Sequence, residues 1–484
     1  MKGPARFAST TVACALAALG LGQVRYSVTD LGDLGGGWSE ASCINASGQV
    51  AGWSYNTYYE HLAFLATGDQ MIELPTLGLA WSEAHSINSR GMVAGSSGTI
   101  TGSTHAFLYT GSGSADLGTL GGWSFAYGVN DSLQVVGYSQ TAAGPEHAFF
   151  WWFGGMLDLG TLPGGTNSYA YGVNNSGEVV GASNTGNGNS HAFFFNGTMH
   201  DLGTLPGGTW SSADCINDLG WVAGHGDDAG GDLHAFVWSG SALVDLGTPA
   251  GFVSEPHGIN LAGDIVGAMG QESPADGFLY HQGELLDLTG LLDPADSAWQ
   301  ITAGAGINDS GQIAACGFSA AALFGHALRL TPEAGVAGTV ALQNFAGDAT
   351  QVPITVEVRT PGTTTVLQTQ TVNLDAAGVF WFACGLTGTY DVAVKAPHWL
   401  RKTIPDVSLP IGGYASTLSF SLTNGDVNGD NAVDLADLVA ISAAWRSTPG
   451  SLTWNQNADL NGDGTVNLAD WLIVARNYRK SGAP

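Results

Sequence analysis

An apolar residue followed by asparagine recurs seven times in this chain, at Ile44-Asn45, Ile87-Asn88, Val129-Asn130, Val173-Asn174, Ile216-Asn217, Ile259-Asn260 and Ile307-Asn308. The asparagines lie 43, 42, 44, 43, 43 and 48 residues apart. A period of that length confines a chain to an array of one supersecondary unit, because a single unit cannot bury its own apolar face and must stack on its neighbours. Each pair leads into a turn such as NASG, NNSG or NDSG and then a short apolar run of the VAG type. A loop follows, then a run typified by His105-Ala106-Phe107, His147-Ala148-Phe149, His191-Ala192-Phe193 and His234-Ala235-Phe236. Last comes a DLG-type segment, as at Asp116-Leu117-Gly118, Asp158-Leu159-Gly160 and Asp201-Leu202-Gly203. Four short alternating or apolar runs, separated by Gly, Asn and Ser, read as the four strands of one propeller blade. A solenoid is the alternative, but its units carry longer strands or a helix, and no helical periodicity is present in this region.

The phase of the two ends favours a closed ring. The array opens on a DLG-type strand, Tyr26 to Gly32, and finishes on His326-Ala327-Leu328. Together these would complete one blade from both ends and remove an exposed sheet edge. Seven asparagines thus predict a seven-bladed β-propeller over residues 23–333. The quoted motifs resemble the bacterial extracellular HAF-repeat family across residues 25–330, and that resemblance implies no particular activity. Two copies depart from the pattern: Asp276-Gly277-Phe278 replaces HAF, and Ala314-Ala315-Cys316 replaces the VVG-type run. Those two blades are expected to be less regular.

The repeated histidines read as hydrogen-bonding residues of the frame, since symmetric repeats preserve packing solutions. Trp38, Trp81, Trp123, Trp210 and Trp299 fall at matching places before the Asn-bearing strand, with Asn167 and Val253 in the other copies. They are candidate ligand-binding residues, because a ring of indoles on one face could stack on sugar rings; inter-blade packing is the competing reading. Nearby, Glu40, Glu83, Phe125, Tyr169 and Ser212, and then His85, Tyr127, Tyr171, Asp214 and His257, vary while their neighbours stay fixed. Variable side chains on a uniform frame are where a repeat protein differentiates a binding surface. Glu40 and Glu83 could form a glycosidase-type carboxylate pair, yet no sialidase-like Asp box, GxSxG elbow or HExxH motif accompanies them, and no catalytic residue is assigned. Cys43 and Cys215 fill a slot that elsewhere holds Ser86, Gly128, Gly172, Gly258 and Gly306, a tight packing position rather than a redox one. With Cys316 and Cys384 they are too widely spaced for a disulfide framework.

The formal net charge of −28 argues against nucleic-acid or anionic-membrane partners, which need Lys and Arg to displace counterions. Lys2 and Arg6 precede an apolar run from Phe7 to Leu21. Residues 1–22 therefore read as a signal peptide, the run being short for a membrane span, and the mature chain is expected to be extracellular, secreted or held at a cell surface.

From residue 334 to 423 the period changes. The runs GTVALQNF, VPITVEVRT, TVLQTQTVNL, GVFWFAC, TYDVAVKA and ASTLSFSL alternate and are rich in Val, Thr and aromatics, which fits a β-sandwich of six or seven strands acting as a spacer. Lys395, a lone strand lysine, reads as solvated.

Residues 424–484 change again. Asp426, Asn428, Asp430, Asp434 and Asp437 fall at positions 1, 3, 5, 9 and 12 of an EF-hand-type loop, and Asp459, Asn461, Asp463, Asn467 and Asp470 repeat the spacing 33 residues later. Calcium takes six to eight hard oxygens, and this spacing folds them around one ion with the position-7 carbonyls of Ala432 and Thr465 added. Two calcium ions are expected. Asp stands for the usual Glu at position 12, and Asn431 for Gly at position 6. A helix-like stretch follows each loop (Leu435, Leu438 and Trp445; Leu468, Leu472, Ala475 and Tyr478).

A duplicated calcium loop plus helix, without a preceding helix, resembles a type I dockerin. The resemblance implies a cohesin-like protein partner, contacted through loop positions 10 and 11, here Leu435-Ala436 and Leu468-Ala469; their identity suggests two equivalent faces. The chain thus reads as mainly β, with a small α-helical calcium-binding module at its end. Its expected role is a secreted, non-catalytic binding protein, tethered by that module, whose propeller takes a polysaccharide or a surface-protein ligand. The alternative is a component of polysaccharide catabolism, a hydrolase of O-glycosyl bonds or a substrate-targeting subunit.

Overall fold

Each repeat folds locally because its Asn turns the chain. Asn45 Oδ1 accepts the amides of Ser47 and Gln49, and the Gly48 amide closes the turn on the Asn45 carbonyl, so the flanking runs pair as a hairpin. The computed structural model describes residues 25–249, 251–271, 276–281, 283–320, 324–333, 335–375, 378–384, 386–409 and 414–484. The expected signal peptide lies outside them. The chain divides into two compact units, residues 24–333 and 334–484.

In the first unit, among the described residues, the repeats give seven four-stranded antiparallel sheets; two are joined by a single parallel bridge, His61 to Trp81. The last sheet is completed by Tyr26–Asp30, which pairs antiparallel with His326–Pro332. The 48-residue spacing before Asn308 accommodates two short 3₁₀ turns, Thr289–Leu291 and Pro294–Asp296. That insertion covers the closing strand: Asp296 Oδ2 accepts the Val28 amide at 2.8 Å, and the Asp293 amide donates to the Tyr26 carbonyl. An edge strand is thereby shielded from pairing with other chains.

The motifs of the repeat now have separate jobs. Phe107, Phe149, Phe193, Phe236 and Phe278 are fully buried, as are the alanines that precede the first four, because each sheet is covered by neighbours on both faces. The HAF histidine pairs with the DLG aspartate of its own sheet, His105 with Asp116 at 2.9 Å and His147 with Asp158 at 2.8 Å, and His326 with Asp30 at 2.9 Å across the closure. Asp276-Gly277-Phe278 keeps the buried Phe, but it gives up the alanine methyl, and in place of the imidazole it sets a second carboxylate near Asp287, which burial and the charge of Asp276 push above its usual range. The glycine of the VAG run sits against the inner strand, where a Cβ on Gly137 would lie 1.9 Å from the Phe125 carbonyl oxygen. Across from it stands Ala126. In the last sheet the pair is exchanged, Ala315 facing Gly304. The combined volume is conserved, which explains the departure seen there.

The seven asparagines close a ring. Each side chain donates from Nδ2 to the main-chain carbonyl of the next: Asn45 to Asn88 at 3.0 Å, then to Asn130 (3.1 Å), Asn174 (2.9 Å), Asn217 (3.2 Å), Asn260 (2.8 Å), Asn308 (3.4 Å) and back to Asn45 (3.0 Å). All seven are buried.

In the second unit, Gly335–Leu342 lies between Val379–Ala383, antiparallel, and Tyr414–Leu422, parallel. A four-stranded sheet runs in the order Val366–Asn373, Pro353–Arg359, Gly388–Lys395, Lys402–Leu409. Trp399, Phe380, Phe420, Ile354 and Val356 fill the core they share. The last strand was the one hidden from the sequence runs, because Pro405 and the positive φ of Asp406 interrupt its alternation; it survives at the sheet edge, where a missing amide is tolerated.

Two tests follow from the ring and its closure. Asn130→Asp keeps the acceptor for its own turn but loses the donor to Asn174, and should cost about 1–3 kcal/mol in denaturant unfolding. The hydrogen bond that His326 donates to Asp30 raises the pKa of His326 against partial burial. A raised histidine contributes stability that is complete below its unfolded pKa of about 6.5 and is lost as pH rises through the folded value. Propeller stability should therefore fall as pH rises above about 6.5, and His326→Gln should shrink that fall.

Candidate metal and docking site

Two helices follow the two loops: α1, Leu435–Ala443, and α2, Leu468–Asn477. Both begin in the same way. Asp434 and Asn467 cap them by accepting the Ala436 and Ala469 amides at 2.7 Å, and Asp437 and Asp470 reach back to the cap amides at 2.8 Å. These reciprocal capping boxes satisfy donors that a helix N-terminus leaves open. Trp445 and Tyr478 lie just past the helices rather than within them.

The loops place their carboxylates inward. Asp426, Asp437 and Asp470 have no exposed surface and Asp459 is buried. Asp437 Oδ1 also accepts the Asn428 amide at 3.1 Å, and Asp470 Oδ1 accepts those of Leu460 and Asn461. Burial pushes the Asp437 carboxyl above its usual range, with the charge of Asp426 adding to it; burial does the same to Asp459, reinforced by Asp470 and Asp463. At position 6, Asn431 adopts φ 72° where the second loop has Gly464 at 83°, a left-handed conformation that Asn tolerates. Its side chain is also engaged, accepting the Arg401 amide at 2.7 Å and donating to the Ala483 carbonyl at 2.8 Å.

Asp426 Oδ1 is buried and has no hydrogen-bond partner, which is where a cation would be expected to complete the shell. Among the described residues no three Asp, Glu, His or Cys side chains gather tightly enough to form a metal site alone. The donor set in each loop is mixed, with Asn side chains and main-chain carbonyls beside the carboxylates, and that chemistry suits a hard, oxygen-seeking ion.

The sequence left several supporting residues unseen. Lys395 is not solvated; its ammonium sits 2.6 Å from Asp426 Oδ2. Asn424, fully buried, donates to the Leu460 carbonyl at 2.7 Å and takes the His398 ring on its Oδ1, while Asn477 donates to its main chain. Burial drives His398 down to about 4. Leu400 joins Val433, Ile441, Leu460, Val466 and Val474 in the core of the helical module. None carries a motif, so only folding could reveal them.

The outward faces of the helices are apolar. Leu435 is 64% exposed and Leu468 59%, and Val439 with Leu472, and Trp445 with Tyr478, repeat the exposure at the same offset. Ala436 and Ala469 lie exposed beside them.

In the propeller, Trp81, Trp123, Trp210 and Trp299 are half-buried, Trp38 is 38% exposed, and each packs on local partners: Trp38 on Phe324, Trp123 on Phe125 and Tyr138, Trp210 on His225. None lines the cavity at the ring centre. Glu40 accepts from Trp38 Nε1 and Glu83 binds His61 at 3.0 Å. No helix among the described residues is long and apolar enough to cross a membrane.

The profile of the type I dockerin domain matches residues 424–477, and this C-terminal module is a type I dockerin domain, a class that binds calcium. No curated protein matches the chain. Among solved structures, an N-terminal interface mutant of a type II cohesin–X–dockerin complex from Acetivibrio cellulolyticus is 26% identical, covering 31% of this chain and 97% of that one, with a TM-score of 0.26. TolB from Acinetobacter baumannii is 13% identical over 59% of this chain and 64% of its own, with a TM-score of 0.37.

Because Leu400 packs in the helical core, Leu400→Ala should lower the stability of the calcium-loaded C-terminal unit by about 2–5 kcal/mol and leave the propeller transition unmoved. For the same reason residues 424–484 alone should melt below residues 334–484, as measured by circular dichroism in calcium.

Proposed function

We propose that the C-terminal module loads two calcium ions and docks this chain, outside the cell, onto a cohesin-type partner, with the propeller as non-catalytic cargo that binds a glycan or a protein. In this reading residues 1–22 direct export, residues 23–333 are the cargo, residues 334–423 the spacer and residues 424–484 the docking module. Asp426, Asn428, Asp430, Asp434 and Asp437 hold the first ion with the Ala432 carbonyl. Asp459, Asn461, Asp463, Asn467 and Asp470 hold the second with the Thr465 carbonyl. The main-chain amides gripping Asp437 and Asp470 orient these position-12 carboxylates toward the loops. An ion supplies the positive charge that four buried carboxylates need, so its binding is coupled to folding.

The observation that carries the docking role is the duplicated apolar face. A module this small leaves leucines in water on both helices, at one offset and beside the alanines of positions 10 and 11. Exposed apolar patches of this kind mark protein contacts. Duplication gives two equivalent faces, either of which can seat one partner. Trp38, Trp81, Trp123, Trp210 and Trp299 are the candidates that the repeat pattern offers for stacking on a sugar held by the cargo.

A calcium titration followed by circular dichroism, with magnesium as control, tests the proposal on residues 334–484. Helix should be gained on adding calcium and lost in chelator. Asp437→Ala with Asp470→Ala should abolish both the gain and the capture of a panel of cohesin modules, whereas either change alone should weaken one loop. Full helicity in excess chelator would falsify the calcium-dependent docking.

A further inference from the structure

The propeller encloses a cavity of about 550 Å³ at its centre, within the roughly 300–1,000 Å³ typical of small-ligand sites. Its wall is built from three rings of the inner strands. The residues immediately before the asparagines are apolar in every copy, and those from Ile44, Ile87, Val173, Ile216, Ile259 and Ile307 line both this cavity and a second one on the asparagine side. The next ring outward is small. The third, three residues before each asparagine, is Ser42, His85, Tyr127, Tyr171, Asp214, His257 and Ala305, and all seven line the cavity.

Among the three rings that line the cavity, the third is the one whose chemistry changes from copy to copy. Packing explains the uniform rings, since each copy meets the same neighbours; it does not explain seven positions that converge on one space and differ in chemistry. The differences are also sorted. On one arc His85 stacks on Tyr127 at 4.5 Å and 15°, and Tyr127 meets Tyr171 edge-on at 5.6 Å. Burial pushes His85 down to about 4, so this arc is aromatic and neutral. On the next arc Asp214 binds His225 Nδ1 at 2.5 Å, and His257 Nδ1 donates to the Gly304 carbonyl at 3.0 Å, which leaves its Nε2 as an acceptor. Ser42 and Ala305 keep the remaining arc open.

We infer that this end of the channel binds a neutral pyranose ring of an oligosaccharide, stacked on the Tyr127–Tyr171 arc with its hydroxyls on Asp214, His225 and His257. The inference rests on the reading of the propeller as ligand-binding cargo and moves its site from the rim tryptophans to the channel. An aromatic wall facing carboxylates also suits an organic cation. Here, however, Asp214 is paired with His225, Glu83, behind His85, is paired with His61, and the remaining carboxylate of the lining, Glu255, lies exposed, where water screens its charge. Paired carboxylates keep their acceptor lone pairs while losing their pull on a cation, and hydroxyl groups need the former.

The test is calorimetric titration of the full chain with cellohexaose, xylohexaose, mannohexaose and tetramethylammonium. At least one hexasaccharide should bind and tetramethylammonium should not. Ser42→Trp, which fills the open arc, and Asp214→Asn should each weaken that binding tenfold or more, with the propeller melting temperature preserved in Ser42→Trp. Sugar binding that survives Ser42→Trp and is lost in Trp81→Ala would keep the propeller as the binding body and overturn the channel as its site. Tetramethylammonium binding would overturn the ligand chemistry, and binding of none of the four probes overturns the inference together with the glycan reading of the cargo.

Discussion

A single side-chain type holds the propeller together at its axis. Each buried asparagine must accept with Oδ1 to make its own turn and donate with Nδ2 to join the next sheet. Aspartate offers only the first of these, and serine is too short to span both. Because every donor finds the carbonyl of its successor and the last finds the first, the ring leaves no asparagine at an end. Buried amides that are fully satisfied in this way order a structure strongly, whereas a broken chain of them would leave polar groups stranded away from water. The closing strand, the His–Asp pairs and the covering 3₁₀ insertion all serve to bring the last sheet within reach of the first.

The C-terminal unit answers a different problem, the burial of negative charge. Four carboxylates without exposed surface or nearly so cannot all remain ionised unless cations or directed amides compensate them. Helix-cap amides supply part of this, and for the first loop Lys395 of the sandwich supplies a full positive charge. The sandwich thus contributes to the module it precedes, through Lys395, Leu400 and the backbone of Arg401. A domain that donates core and charge to its neighbour is a support for it rather than a flexible tether.

Much of this was legible from the residues. The period of the asparagines, the turn that follows them and the two loop copies are local patterns, fixed by backbone geometry and by ligand spacing within a dozen residues. Less legible were contacts made across long separations. Lys395 read as solvated because nothing within its own strand contains a partner, and Asp426 comes to it only when two modules meet. Lys402–Leu409 escaped notice because its proline breaks the alternation that identifies a strand, although an edge position tolerates it.

The sequence by itself determined that the chain carries a repeated four-strand unit, a sandwich-like segment and a duplicated oxygen-rich loop, because each signal is written in neighbouring residues. It also showed which positions vary from copy to copy. It could not say that Ser42, His85, Tyr127, Tyr171, Asp214, His257 and Ala305 face one cavity while the tryptophans a few residues earlier do not. In a strand, successive side chains point to opposite sides, and a single register shift exchanges them. The inner strands carry such shifts between Ala41 and Cys43, Ala126 and Gly128, and Ala213 and Cys215. Those irregularities, set by the close approach of the glycine-bearing strand, decide which residues look into the channel, and they exist only once the strands have paired.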